Sequence, residues 1–247
     1  MKSINIRQQK ILSILEHYDS LSVSEISRLA GASEATIRRD LIILSEQNLL
    51  LKFHGGAKSL AKEIVPNSDE QTQKAQYAIY ACSLVEDRDV IFINTSSTAI
   101  LMLKYLTNKQ VTVITNNTRA VNYELGRNIE LIVLGGMVLP EKKSIVGHFA
   151  TDMLSHITAN KCFLGVGGLS AQNGLGTTIF QEARINKMFL DRCGGEKVVL
   201  TDSSKFGNEC NFISAPATDI THIITDSLCP VNDEQSFINL GVQVIKI

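Results

Sequence analysis

The sequence predicts an α/β protein in two parts: a small helical N-terminal domain with a terminal hairpin, then a larger domain built on a mostly parallel sheet. Three observations predict it. The first sixty residues carry apolar positions at helical period, followed by one short strand and a glycine pair. A polar stretch containing Pro66, Asn67, Ser68 and Asp69 comes next. Beyond residue 90, short and nearly unbroken apolar runs recur with helical segments between them, the pattern of parallel strands buried on both faces. A chain of 247 residues is long for one small domain and sufficient for two. The expected division is 1–60, a linker over 61–75, and 76–247.

In the first part, Ile6, Ile11, Ile14 and Leu15 mark a helix ending near Tyr18. Ser22 followed by Glu25 is a capping-box pattern opening a short helix with Ile26, Leu29 and Ala30. Gly31-Ala32-Ser33 is a tight turn, and Ser33 suits the N-cap of a third helix from Glu34 to about Gln47. Leu49 to Phe53 forms a short strand, and His54-Gly55-Gly56 suits a hairpin tip. A helix is expected from about Gln71 to Val85. The strands expected beyond it are Val90–Ile93, Val111–Thr115, Leu131–Leu134, Cys162–Val166, Val198–Leu200, Ile223–Thr225 and Val242–Ile247.

Charge excludes a chain that is basic throughout, because the net charge is −1. Residues 1–60 hold eight Lys/Arg against six Asp/Glu, a balance of +2, which cannot carry a nucleic-acid assignment alone. The five cysteines (Cys82, Cys162, Cys193, Cys210 and Cys229) form no CxxC pair and are odd in number. They fit reduced thiols in a cytosolic interior and no metal site. The N-terminus has no apolar signal core and no run reaches about 20 apolar residues, so a cytoplasmic protein without membrane contact is expected.

On the third helix, Ile37, Leu41 and Leu44 fall at i, i+4 and i+7 and share a buried face. Ala35 and Arg39 then point away from it, with Thr36 and Arg38 on the flanks. A small surface at the helix N-terminus with adjacent arginines fits a DNA major groove; an amphipathic helix with solvated arginines has the same spacing. Ser33 to Leu41 with its T-I-R-R-D-L core, then Glu46-Gln47-Asn48-Leu49 and His54-Gly55-Gly56-Ala57, resembles the DeoR family of sugar-metabolism repressors. The resemblance implies a winged helix-turn-helix in which Ser33, Thr36, Arg38 and Arg39 contact groove and phosphate. It makes Lys52, His54 and Lys58 wing contacts, although His54 also fits a plain turn residue. Asp40 is expected to pair with a neighbouring arginine or to hold the helix in place.

In the second part, polar loops follow the expected strands, where open α/β sheets bind ligands. Asn94-Thr95-Ser96-Ser97-Thr98 precedes a helical segment, whose free N–H groups and positive dipole end suit a phosphate; a serine-rich cap is the alternative. Thr115-Asn116-Asn117-Thr118, Gly135-Gly136 and Gly165-Val166-Gly167-Gly168 come after further strands, and each glycine pair also fits an ordinary turn. The 165–170 segment lacks a full dinucleotide fingerprint, so no nicotinamide cofactor is expected. Gly174-Leu175-Gly176-Thr177-Thr178 precedes a helix with Glu182, and Asp202-Ser203-Ser204-Lys205-Phe206-Gly207 offers a lysine as a point charge for phosphate, although by itself it fits a solvated turn lysine better.

Residues 76–247 resemble the DeoR effector domain, itself similar to ribose-5-phosphate and glucosamine-6-phosphate isomerases, with the D-S-S-K-F-G segment as the most specific match. That resemblance implies that these loops ring a sugar-phosphate pocket involving Thr95 to Thr98, Asn116, Asn117, Gly135, Gly136, Gly167, Gly168, Thr177, Thr178, Glu182 and Lys205. Two departures stand out. The family's Asp-x-Gly-Thr-Thr loop is here Asn94 to Thr98, and no Asp or Glu occurs between Asp152 and Glu182, where the isomerases keep a catalytic acid. The chain is therefore expected to be a regulator and not an enzyme, without cofactor. It is expected to bind double-stranded operator DNA as a homo-oligomer, at least a dimer, and to respond to a phosphorylated sugar.

Overall fold

The computed structural model describes residues 5–16, 21–46, 50–53, 55–59, 68–106 and 109–247. The chain divides into two compact units, Met1–Gln71 and Thr72–Ile247.

The first unit contains α1 (Ile6–Glu16), β1 (Leu21–Ser22), α2 (Val23–Ala30), α3 (Glu34–Glu46), β2 (Leu50–Phe53) and β3 (Gly56–Ser59). Ser22 and Glu25 form the expected capping box at the start of α2. The helix ends at Gly31, whose φ of 73° permits the left-handed turn that closes onto the Ser27 carbonyl. Strand β3 lies between β1 and β2, pairing Leu21 with Ala57 and Phe53 with Gly56. The sequence reading missed β1, which is only two residues long. Gly56 is required there, since a Cβ would stand 2.4 Å from the Leu21 carbonyl oxygen and 2.6 Å from the Phe53 ring. Ile11, Leu15, Ile26, Ile37, Leu41 and Leu44, all fully buried, make the centre of this unit's core.

Helix α4 (Ser68–Leu84) begins in the last residues of the first unit, inside the stretch expected to be a linker to residue 75, and supplies the start of the second. A Ser-Asp-Glu sequence is compatible with a first helical turn, where acidic residues are favoured by the dipole. Seven parallel strands follow: β4 (Val90–Ile93), β5 (Val111–Thr115), β6 (Ile129–Val133), β9 (Lys161–Leu164), β12 (Lys197–Leu200), β14 (His222–Thr225) and β15 (Gln243–Lys246). They correspond to the seven apolar runs of the sequence. Their order across the sheet is β15-β14-β12-β9-β4-β5-β6. The chain thus builds outward from β4 in one direction, returns to β9 on its other side, and continues the opposite way.

Alternate residues supply the two faces of this sheet, as the two-residue period requires. Phe92, Cys162, Leu164 and Val199 pack with Ala150 and Leu154 of α6 (His148–Ser155) and with Ile185 and Phe189 of α7 (Phe180–Asp191). The Phe92 and Phe189 rings lie 4.8 Å apart. Ile91, Ile93, Phe163 and Val198 belong to a second cluster with Tyr77, Ala78 and Ala81 of α4. Two antiparallel additions were not expected: a ribbon of β7 (Met137–Leu139) and β8 (Ser144–Val146), and a sheet of β10 (Gly168–Ser170), β11 (Gly174–Thr177) and β13 (Phe212–Ala215). No described helix is long and apolar enough to cross a membrane.

Candidate DNA-reading and sensing sites

Helix α3 presents the surface its spacing predicts. Ile37, Leu41 and Leu44 are fully buried while Arg38 and Arg39 are exposed. Ser33 caps the helix: its Oγ accepts the Thr36 N–H at 3.3 Å and lies 2.9 Å from the Thr36 hydroxyl. Arg38 reaches Glu34 one turn back at 3.1 Å, an exposed pair that leaves it free to exchange partners. Asp40 faces inward and is 3% exposed. Its carboxylate accepts Arg7 Nε at 2.6 Å and Gln8 Nε2 at 3.0 Å, fastening α3 to α1. The arginine expected beside Asp40 is thus Arg7, and that contact raises the Arg7 pKa through the hydrogen bond and the charge of Asp40. Arg38, Ile42, Lys52, Phe53 and Gly55 line an open groove of about 650 Å³ between α3 and the β2–β3 hairpin. Lys52 is exposed there. His54, and the side chain of Lys58, lie outside the described residues.

In the second unit, the chain turns to opposite sides from the adjacent carboxyl ends of β4 and β9, the kind of switch point at which doubly wound sheets take ligands. Asn94, 2% exposed, spans this point. Its amide nitrogen donates to the Gly165 carbonyl at 2.9 Å and to Asn186 Oδ1 at 3.0 Å. Its Oδ1 accepts the N–H groups of Gly165 at 3.0 Å and Ser96 at 3.1 Å. All four hydrogen-bonding positions of the amide are used. Gly165 admits this approach because a Cβ would sit 2.3 Å from Ser96 Oγ. Around the clamp, the hydroxyls of Thr95 and Thr177 donate to the two oxygens of Glu182, at 3.3 and 3.4 Å.

The loop caps itself more fully than the sequence suggests. Ser96 Oγ accepts the N–H groups of Thr98 and Ala99, each at 3.1 Å. The following segment is a 3₁₀ turn, Ala99–Leu101, and a four-residue helix α5 (Met102–Tyr105), too short for the dipole expected of a longer helix. Ser97 is exposed, whereas Thr98 is buried.

The remaining residues divide between ligand-accessible and packed positions. Asn116 and Asn117 are buried and bound to β8: Asn116 donates to the Ile145 carbonyl at 3.1 Å, and Asn117 bridges to Ser144. Asn116 Oδ1 and Asn117 Nδ2 nevertheless have no hydrogen-bond partner among the described residues. Gly135 and Gly136 are exposed after β6. Gly167 is exposed, but Gly168 and Thr177 are buried strand residues and not loop residues, a correction to the sequence reading. The physical reason is close packing: a Cβ on Gly168 would lie 2.2 Å from the Asn208 carbonyl oxygen. Thr178 is exposed. Lys205 is half-buried in the 3₁₀ turn Ser203–Lys205 after β12, and no acid among the described residues pairs with it.

Sequence reasoning missed Asn186 and did not include Asn94 among the ligand-site residues. Asn186 lies four residues after Glu182, hence on the same face of α7, and that spacing was a usable signal.

Family models match both units: a DeoR-like helix-turn-helix domain over residues 7–63 and a DeoR C terminal sensor domain over residues 69–227. The uncharacterized HTH-type transcriptional regulator YulB of Bacillus subtilis is 35% identical over 228 residues, covering 90% of this chain and 88% of its own. The HTH-type transcriptional regulator IolR of the same organism is 30% identical over 236 residues, covering 93% of each chain. Among solved structures, ribose 5-phosphate isomerase A from Methanocaldococcus jannaschii is 23% identical, covering 56% of this chain and 55% of that one, with a TM-score of 0.40. The relatives' names are those of regulators, in agreement with the expected regulatory and not enzymatic role. The chain belongs to the DeoR family of HTH-type transcriptional regulators, with a DNA-reading unit followed by a sensor unit.

Proposed function

We propose that this regulator is a cytoplasmic repressor of a carbohydrate-metabolism operon, binding double-stranded operator DNA as a homo-oligomer under the control of a phosphorylated sugar. The observation that carries the sensor part is the β4–β9 switch point, where Asn94 fixes a hydroxyl-bearing loop. Thr95 to Thr98, Thr177, Thr178 and Glu182 would meet sugar hydroxyls, and Lys205 would meet the phosphate as a point charge. Gly135, Gly136, Gly167 and Gly168, with the amides of Asn116 and Asn117, would complete the surround. On the DNA side, Thr36, Arg38 and Arg39 would enter the groove, with Ser33 at its entrance and Lys52, His54 and Lys58 along the wing. The putative aga operon transcriptional repressor of Escherichia coli O157:H7, at 27% identity, is named as an operon repressor, which supports the repressor reading.

A thermal-shift screen of pentose and hexose phosphates tests this reading. A specific ligand at about 100 times its Kd adds about 2.7 kcal/mol. For a unit of this size that raises Tm by roughly 5–11 °C. The shift should shrink in Lys205→Ala, and the active compound should alter operator affinity. A panel in which no sugar phosphate shifts Tm sinks the effector assignment.

A further inference from the structure

One buried carboxylate connects the Lys205 turn to the helix that leads into the sensor unit. Asp226 follows β14 and is 4% exposed. Its Oδ1 accepts the Leu228 N–H at 2.8 Å. Its Oδ2 accepts two donors at once: the Ser203 N–H at 2.7 Å and the Tyr77 hydroxyl at 3.3 Å. Tyr77 is 2% exposed and lies on α4, whose first residues, to Gln71, belong to the N-terminal unit. Burial pushes the tyrosine upward, further helped by the charge of Asp226, so the phenol remains a donor. Burial alone would raise Asp226, but the Ser203 bonds and the Leu228 N–H hold it below the usual carboxylate range, so it remains an acceptor.

The geometry points to Asp226 as a positioning residue that couples the Ser203–Lys205 turn to helix α4 through a single shared oxygen. Oδ2 thus holds the turn by a short bond and α4 by a long one at the same time. A displacement of the turn that carries the carboxylate with it changes the bond to Tyr77 and with it the hold on α4. A ligand preferring one arrangement changes the population of the other, and the effect is reciprocal for DNA. The inference rests on the sensor reading only in taking this turn as ligand-facing.

A double-mutant cycle on operator affinity tests it without any sugar, using the full chain and a duplex that the wild type selects from a random double-stranded pool. Ser203→Pro removes the N–H that holds Asp226, together with the Ser203 hydroxyl that also favours the carboxylate. It suits the site because Asp202 is extended (φ −85°, ψ 161°) and residue 203 is the first of its turn. Tyr77→Phe removes the other donor while keeping the ring. Ser203→Pro is expected to shift the duplex Kd by at least about threefold, and by less than about 1.5-fold in the Tyr77→Phe background. An unchanged Kd in Ser203→Pro, or equal shifts in both backgrounds, overturns the proposal. Should Ser203→Pro not fold, hydrogen exchange over 201–207 replaces it: duplex binding alters exchange in the wild type and not in Tyr77→Phe. Equal responses there overturn it too. A sugar-phosphate panel that never binds would remove the effector reading and leave these results standing.

Discussion

Asn94→Ala should destabilise the sensor unit more than its small side chain suggests. The substitution deletes four hydrogen bonds and leaves both polar groups of Gly165, and Asn186 Oδ1, without their partner at the switch point. At about 1 kcal/mol per bond the loss sums to about 4 kcal/mol, and coupling among bonds on one amide lowers it to about 2–4 kcal/mol. For a unit of this length each kcal/mol moves Tm by about 2–4 °C, so a fall of roughly 5–15 °C is expected in thermal denaturation. Asn94→Asp separates hydrogen bonding from shape. One carboxylate oxygen still accepts from Gly165 and Ser96, while the other faces the Gly165 carbonyl and Asn186 Oδ1, where only a donor fits. Burial and these acceptors raise the folded pKa of such an acid above its unfolded value. Its favourable contribution is therefore full below the unfolded pKa and lost as pH rises through the folded pKa. The Tm of Asn94→Asp relative to wild type should accordingly improve between pH 8 and pH 5. A fall below about 3 °C for Asn94→Ala, or an Asn94→Asp deficit independent of pH, would refute the clamp.

Replacing Arg38 and Arg39 together by Ala should flatten the salt dependence of operator binding by about two, for two lost phosphate contacts, while the exposed Arg38–Glu34 pair costs less than about 0.5 kcal/mol of stability. An unaltered slope would remove these arginines from the interface. Gly56→Ala should destabilise the N-terminal unit by about 1–3 kcal/mol, because its Cβ meets the Leu21 backbone and the Phe53 ring; wild-type denaturant resistance would contradict the packing. In thiol labelling of the native protein at pH 8, Cys210, the half-buried cysteine, should react before the others. Burial pushes Cys82 to about 12 and Cys229 to about 11, leaving little thiolate at either; early labelling of Cys82 would contradict that burial.

The large sheet was legible because its inner strands are buried on both faces and so write nearly unbroken apolar runs, as in Val90–Ile93 and Val111–Thr115. Helix α3 was legible from Ile37, Leu41 and Leu44, and α2 from its Ser22–Glu25 cap. The antiparallel additions were not. Gly168–Ser170 and Gly174–Thr177 contain three glycines in seven strand residues, a composition that reads as turns, although those glycines allow close approach of the 208–216 segment. The clamp and the carboxylate link were hidden for a different reason. Asn94 meets Gly165 across 71 residues and Asn186 across 92, while Tyr77 meets Asp226 across 149. Such pairings depend on strand order, which local periodicity does not encode.

The self-capped loop after β4 also changes where an anion's stabilisation must come from. In many nucleotide-binding folds a long helix follows the first strand, and its free N–H groups and dipole hold phosphate. Here Ser96 Oγ already accepts two of those N–H groups, and only a 3₁₀ turn and a four-residue helix follow. If the sensor reading holds, recognition at this switch point would depend more on side chains than on the backbone, with Thr95 and Thr177 both committed to Glu182. That carboxylate repels an anion placed beside it and accepts hydrogen bonds from neutral hydroxyls. On the proposed sensor reading, a sugar phosphate would meet both conditions with its hydroxyls toward Glu182 and its phosphate toward Lys205. Glu182→Gln should then weaken a sugar phosphate through its hydroxyls while leaving inorganic phosphate binding equal or tighter, whereas Lys205→Ala should weaken both. Parallel losses for the two probes in Glu182→Gln would exclude this orientation.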